Sequence, residues 1–290
     1  METFRQYFDG ESIADFNGPM IFLRVFGTER AESGKDNLFI VDKRNDVYKC
    51  VSGDSYVFKT TGACIRINKG WQYGEAFIDR AENWKDSLPI LIKVIEAMII
   101  STHLEIGWIP VHASVIETTE GVSLILADSQ CGKTTTAKQL TEGGKGNVLS
   151  DDVAFLNGAG KILPFGCYVK EMSDEVDGAY AEILKDGDYA CTRRIQKLNI
   201  DYSARDVHNI IFPRIHVGER RMIRIEEENA KLNLIFKQIC TYPNEWFLFS
   251  DANLLAIDQV MTGLVKKDAY VYEMPYLKGE VQDEHCVKST

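Results

Sequence analysis

Seven cysteines occur in this chain, yet no two of them form a Cys-x-x-Cys pair. Cys50, Cys64, Cys131, Cys167, Cys191, Cys240 and Cys286 are scattered and odd in number. That pattern excludes a structural zinc spacing and a disulfide framework, and it implies free thiols in a reducing compartment. Strongly basic segments are missing too. With a net charge of −10 and a pI near 5.1, neither duplex nucleic acid nor an anionic membrane surface is expected as a partner. No apolar run is clean enough to span a membrane. The longest, Leu88 to Ile106, is broken by Lys93, Glu96 and His103 and reads as a buried amphipathic helix. The opening Met-Glu-Thr-Phe-Arg-Gln lacks the basic-then-apolar order of a secretion signal. No internal repeat or low-complexity tract is present. A cytoplasmic globular protein is the expectation.

At 290 residues, 45% hydrophobic and 26% charged, the chain can bury one large core or two smaller ones. Residues 1–85 alternate short apolar runs with turn formers. Met20–Phe26, Asn37–Val41, Asp46–Val51, Tyr56–Lys59 and Ala63–Ile67 read as strands of a small, mostly antiparallel β-rich domain. Asn45-Asp46 and Ser52-Gly53-Asp54 read as its hairpin turns. Asp86-Ser87 before Pro89 marks a helix start, and Leu91, Val94, Ile95, Met98 and Ile99 follow at helical spacing. Gly107 ends that helix, which bridges to a second domain over 86–290. There Val111–Ile116 and Val122–Leu126 read as strands, Thr134 to about Glu142 as a helix, and Asn147–Ser150 and Val153–Leu156 as extended segments. Ile210–His216 and Ala269–Met274 are later strands, with a helix from Ser250-Asp251 through Val265 between them. The acidic stretch Glu171–Asp188 is either a solvated insertion or a substrate-facing lid.

The densest signal is Val122-Ser-Leu-Ile-Leu-Ala127-Asp-Ser-Gln-Cys-Gly132-Lys133-Thr134. An apolar strand enters a small-residue turn that opens a helix at Gly-Lys-Thr. This is the plan of a phosphate-binding P-loop, in which backbone N–H groups and a helix N-terminus converge on an anion. The loop Ala127, Asp128, Ser129, Gln130, Cys131, Gly132, Lys133, Thr134 and Thr135 is therefore the expected site of ATP. Ala127 stands where the pattern has its first glycine, and Ala resists φ > 0. Cys131 beside the helix N-terminus is either a thiol of lowered pKa or simply a small loop residue.

Phosphoryl transfer asks for positioning and charge neutralisation. Lys133 suits the β- and γ-phosphates, and Thr134 suits Mg2+. Asp151-Asp152 follow a strand end, where α/β sheets gather their ligands. Adjacent strand residues face opposite sides, so one Asp can face an acceptor and Asp152 the metal, unless the pair merely caps a turn. His112, in an apolar run, is either a core histidine or an active-site group. Arg214, after Phe212-Pro213, either clamps a phosphate or pairs with the acidic segment.

His112-Ala-Ser-Val-Ile, then Ala127 to Thr134, then Leu-Ser-Asp151-Asp152-Val resembles the C-terminal catalytic domain of HPr kinase/phosphorylase and its relatives. The resemblance spans about residues 88–275 and is specific over 111–153. It implies a P-loop kinase core of the phosphoenolpyruvate carboxykinase type, a mixed sheet with flanking helices. It also implies Asp151 as general base, with His112 and Lys133 in the active site. The family's Leu-Glu-Ile-Arg-Gly-Leu-Gly segment is not recognisable, so phosphorolysis is not expected, and Glu171 and Glu175 remain as candidates for a second metal ligand. The implied activity is ATP- and Mg2+-dependent phosphorylation of a hydroxyl, a serine of a peptide or protein. The alternatives are a small-molecule hydroxyl acceptor and a non-catalytic nucleotide-binding module. Residues 1–85 either dock a peptide partner or brace the core, and the family also hints at a homo-oligomer.

Overall fold

The computed structural model describes residues 22–28, 39–42, 47–52, 55–60, 63–79, 84–128, 131–151, 153–165, 168–173, 192–197, 203–216, 218–240 and 251–275. These form a mixed α/β structure with two mixed sheets, a separate two-stranded sheet and four α-helices among the described residues. They divide into two units, one holding the described residues up to Ile106 and the other those from Gly107 onward.

The first unit comprises β1 (Phe22–Thr28), β2 (Phe39–Asp42), β3 (Val47–Ser52), β4 (Ser55–Thr60), β5 (Ala63–Asn68), β6 (Tyr73–Asp79) and helix α1 (Trp84–Glu105). The six strands lie in the order β1-β6-β5-β4-β3-β2. All neighbours are antiparallel except β1 and β6, which are parallel with Phe22 opposite Tyr73. The small, mostly antiparallel region read from sequence is thus a six-stranded sheet in which four of the five pairings are antiparallel, and β6 carries the parallel one. It pairs antiparallel with β5 on one edge and parallel with β1 on the other. Its buried positions Gly74, Ala76 and Ile78 are mostly small, which hides the alternation that marks a strand. The space at Gly74 is occupied, since a Cβ there would lie 2.3 Å from Ile67 Cδ1. Helix α1 starts at Trp84, ahead of the expected Asp86-Ser87 cap, and packs against β6. Leu91, Val94, Ile95 and Met98 are buried, as their spacing requires, and Gly107 follows with φ +80°. The helix expected to bridge the two parts thus belongs to the first sheet's unit.

The second unit contains β7 (Trp108–Val111), β8 (Ala113–Thr118), β9 (Gly121–Leu126), α2 (Lys133–Thr141), β10 (Gly146–Ser150), β11 (Val153–Asn157), β12 (Lys161–Phe165), β13 (Tyr168–Ser173), β14 (Thr192–Lys197), β15 (Arg205–His216), β16 (Arg221–Arg224), α3 (Glu228–Cys240), α4 (Asp251–Val265) and β17 (Asp268–Pro275). A 3-10 turn, Glu142–Gly144, closes α2 with Gly143 and Gly144 at positive φ. β13 and β14 pair with each other.

β15, twelve residues long, organises the large sheet. Arg205 and Asp206 pair with β12, while the rest runs parallel to β9 on one edge and to β17 on the other. The main branch is thus β10–β8–β9–β15–β17–β16, and a side branch β12–β11–β7 leaves from the start of β15. Helix α2 covers one face of the main branch, where Ala137 packs with Ile116, Ile125, Ile211, Tyr272 and Met274. Helices α3 and α4 pack against β7 in the side branch, and α4 also touches β11. No described helix is long and apolar enough to cross a membrane.

Candidate functional site

Strand direction gathers the chemistry on one edge. β8 is antiparallel to both β9 and β10, so β9, β10, β15 and β17 all run the same way. Their C-terminal ends, Leu126, Ser150, His216 and Pro275, therefore face one rim, where open α/β sheets bind ligands. The loop after β9, Asp151 after β10 and the start of β8 share that rim.

The loop enters α2 through Gly132, whose φ of +89° lies in the left-handed region. A Cβ here would also meet Met274 Cε at 2.5 Å, a contact that the end of the methionine chain can relieve, so it is the backbone conformation that calls for glycine. Ala127 shows the opposite. Among the described non-glycine residues only Trp71 has positive φ, so Ala127 sits in ordinary backbone and the missing first glycine is not needed for its conformation. Lys133 is buried, and its Nζ donates to Ala127 O at 2.9 Å and to Asp128 O at 3.0 Å. The Cys131 N–H donates to Asp128 O at 3.2 Å, which tightens the turn. Cys131 is half-buried and not in a disulfide, and Thr135 is half-buried on the first turn of α2.

The Asp151 carboxylate meets the helix start. Thr134 Oγ1 donates to it, 2.9 Å from Oδ2 and 3.2 Å from Oδ1. Ser114 Oγ donates to Oδ1 in a short contact, and both Asp151 and Ser114 are buried. The turn that presents Asp151 is clasped by Ser150 Oγ, 2.5 Å from Val153 O and 2.6 Å from Phe165 O. Ser114 was not singled out from sequence. Its signal is a hydroxyl at the same strand parity as Ile116, which packs against α2's face of the sheet. Thr134 and Asp151 present hard oxygens to one point, which suits Mg2+, an ion usually held by one or two protein oxygens plus phosphates and water. Among the described residues no group of three or more His, Cys, Asp or Glu side chains gathers for a metal.

His112 does not lie within a strand. It is the half-buried link between β7 and β8, where the chain passes from the side branch to the main one. Its neighbour Ala113 pairs with Leu126, so it stands at the rim. Arg214 is on β15 opposite Glu273 of β17, with Nη1 3.5 Å from Oε1. Arg221 Nε contacts Oε2 of the same carboxylate, and His216 Nε2 is 3.9 Å from it. The Arg221 hydrogen bond, set against burial and aided by the Arg221 and His216 charges and by Arg214, holds the Glu273 carboxyl below its ordinary range. Tyr272 and Met274 face α2, so Glu273 and its arginines occupy the other face of the sheet. No described contact joins Arg214 to the Lys133–Thr134–Asp151 group. Ser129, Gln130, Asp152 and Glu175 lie outside the described residues, and Glu171 is on β13.

A further connection comes from α3, an element the sequence reading did not identify. Lys237 Nζ is 2.6 Å from Asp128 Oδ2, and Gln238 Nε2 is 2.9 Å from Oδ1. The available signal was Lys231, Ile235 and Ile239 at a spacing of four, all buried. It is diluted by Leu232, Leu234 and Phe236, which are exposed. No protein-family model matches the chain, and no curated protein matches it.

Proposed function

We propose that this chain is an ATP- and Mg2+-dependent kinase that transfers the γ-phosphate to a hydroxyl, in the manner of the HPr kinase/phosphorylase catalytic domain it resembles, on a P-loop core. The acceptor we assign is a serine of a peptide or protein. The observation that carries the reading is the Thr134 Oγ1–Asp151 contact, made beside a Lys133 held on loop carbonyls at the C-terminal rim of parallel strands.

In this reading the triphosphate lies over the loop and the N-terminus of α2, whose N–H groups favour an anion. Lys133 leaves Ala127 O and Asp128 O for the β- and γ-phosphates. Asp151 takes the proton of the acceptor hydroxyl, and that oxygen bonds to the γ-phosphorus. The bond to the β-phosphate oxygen breaks, its electron pair leaving with ADP. Thr134 would hold the magnesium ion, which supplies charge neutralisation when bound. His112, between β7 and β8 beside the Ala113–Leu126 pair, is kept in this reading as an active-site group. Arg214 fits a phosphate clamp less well, because Glu273 engages it on the other sheet face.

The Thr134 contact also favours a second reading, in which Asp151 holds the ion and does not take the proton. The two separate in Asp151→Asn. Loss of the base leaves the magnesium requirement unchanged, whereas loss of a metal ligand raises it. The decisive experiment incubates the protein with labelled ATP and peptides ending in serine, and reads a mass gain of one phosphate. ATP binding without transfer to a peptide or to any small hydroxyl compound would leave a nucleotide-binding module instead.

A further inference from the structure

Asp128 is engaged at both of its polar ends. Its carboxylate receives Lys237 and Gln238 from α3, while its carbonyl oxygen receives Lys133 Nζ and the Cys131 N–H. Burial alone would push the Asp128 carboxyl up. Hydrogen bonds from Lys237 and Gln238, with the charges of Lys237 and Lys133, outweigh it and hold the group below its ordinary value. Lys237 is raised in turn, chiefly by its hydrogen bond to Asp128. A loop built to receive an anion thus contains an anion of its own. Left uncompensated, that carboxylate would repel a polyphosphate at close range. A lysine 109 residues downstream meets it at 2.6 Å.

We propose that Lys237 and Gln238 are positioning residues of the phosphate loop: Lys237 cancels the Asp128 charge, and with the Gln238 hydrogen bond it fixes the loop's first limb, so that Lys133 can turn to a bound polyphosphate without the loop following. The assignment rests on reading the loop as a nucleotide cradle. Helix α3 then belongs to the binding machinery although neither residue needs to touch the ligand.

The test is calorimetric titration of the full chain with ATP and with inorganic tripolyphosphate, both in magnesium. Lys237→Met is expected to weaken both by about tenfold, as loss of a compensating charge does. Lys237→Arg should bind nearly as the wild type. Asp128→Asn added to Lys237→Met should restore most of the affinity, because no charge is left to cancel, and a merely structural role would not produce that rescue. Gln238→Ala, which keeps the ion pair, should weaken binding by only about threefold. Wild-type affinity in Lys237→Met overturns the assignment alone. A double variant no better than the single one also overturns it and makes Lys237 a direct phosphate ligand. A wild-type protein that binds neither probe overturns the cradle reading along with it.

Discussion

Thr134 Oγ1 lies 2.9 Å from Asp151 Oδ2, joining the first turn of α2 to the end of β10 across a sequence separation of 17 residues. The two strands that deliver these groups are not neighbours. β8 runs between β9 and β10, and its Ser114 completes the contact by donating to the same carboxylate. Loop, helix and carboxylate therefore form one hydrogen-bonded unit, and perturbing any member should be felt by the others.

Lys133→Ala and Asp151→Asn should each lower turnover by about two orders of magnitude or more while the protein stays folded. Labelled-ATP transfer beside thermal melting checks this. Near-normal turnover in folded Asp151→Asn would remove Asp151 from its assigned role.

Ser114→Ala removes one donor to a buried carboxylate. A hydrogen bond to a charged group contributes about 1.5–3 kcal/mol, so turnover should fall about tenfold to a hundredfold with little change in the KM for ATP. A change confined to KM would show that Ser114 acts on the nucleotide and not on Asp151.

Gly132→Ala places a Cβ both in left-handed backbone and against Met274. The conformational part alone should cost about 1–2 kcal/mol, read in denaturant unfolding. Trimming the obstacle with Met274→Ala should leave that part in place. Unchanged stability of Gly132→Ala would mean that the loop readily adopts another entry to the helix.

Glu273 should make stability pH-dependent in a definite direction. Its folded pKa is depressed, so its contribution is complete above the unfolded value near 4.5 and is lost as pH falls through the lower folded value. Wild type should exceed Glu273→Gln in stability at neutral pH, and the gap should close in acid below the ordinary carboxylate range. A gap that persists or widens in acid would contradict the Arg221–Glu273 pairing as its source.

Much of the rim was legible because its parts are local. An apolar β-branched strand, a small-residue turn and Gly-Lys-Thr announce a strand–loop–helix, and a following strand ending in Asp-Asp places the carboxylate at the same kind of edge. The observed α2 (Lys133–Thr141) and β10 (Gly146–Ser150) lie within about a residue of their expected bounds. Other parts were hidden. β6 buries small residues, so its alternation is weak. β16 is exposed at every position, and α3 mixes apolar side chains onto its solvent side. Ser114 and Lys237 carry no local mark, since each matters only through a partner, Asp151 and Asp128, 37 and 109 residues away.

By itself the chain of residues dictates which faces are apolar, where a glycine must turn the backbone, and which short segment carries the small-residue turn and Gly-Lys-Thr between a strand and a helix. Those are consequences of side-chain periodicity and backbone sterics over a few residues. Tertiary structure alone decided that β15 runs parallel to both β9 and β17, and that Arg214 is engaged by Glu273 on the face away from α2. It likewise decided that a lysine from α3 answers the loop's own aspartate. Periodicity says that a strand face seeks burial, but not which strand will provide it, and charges find their partners only after those pairings are made.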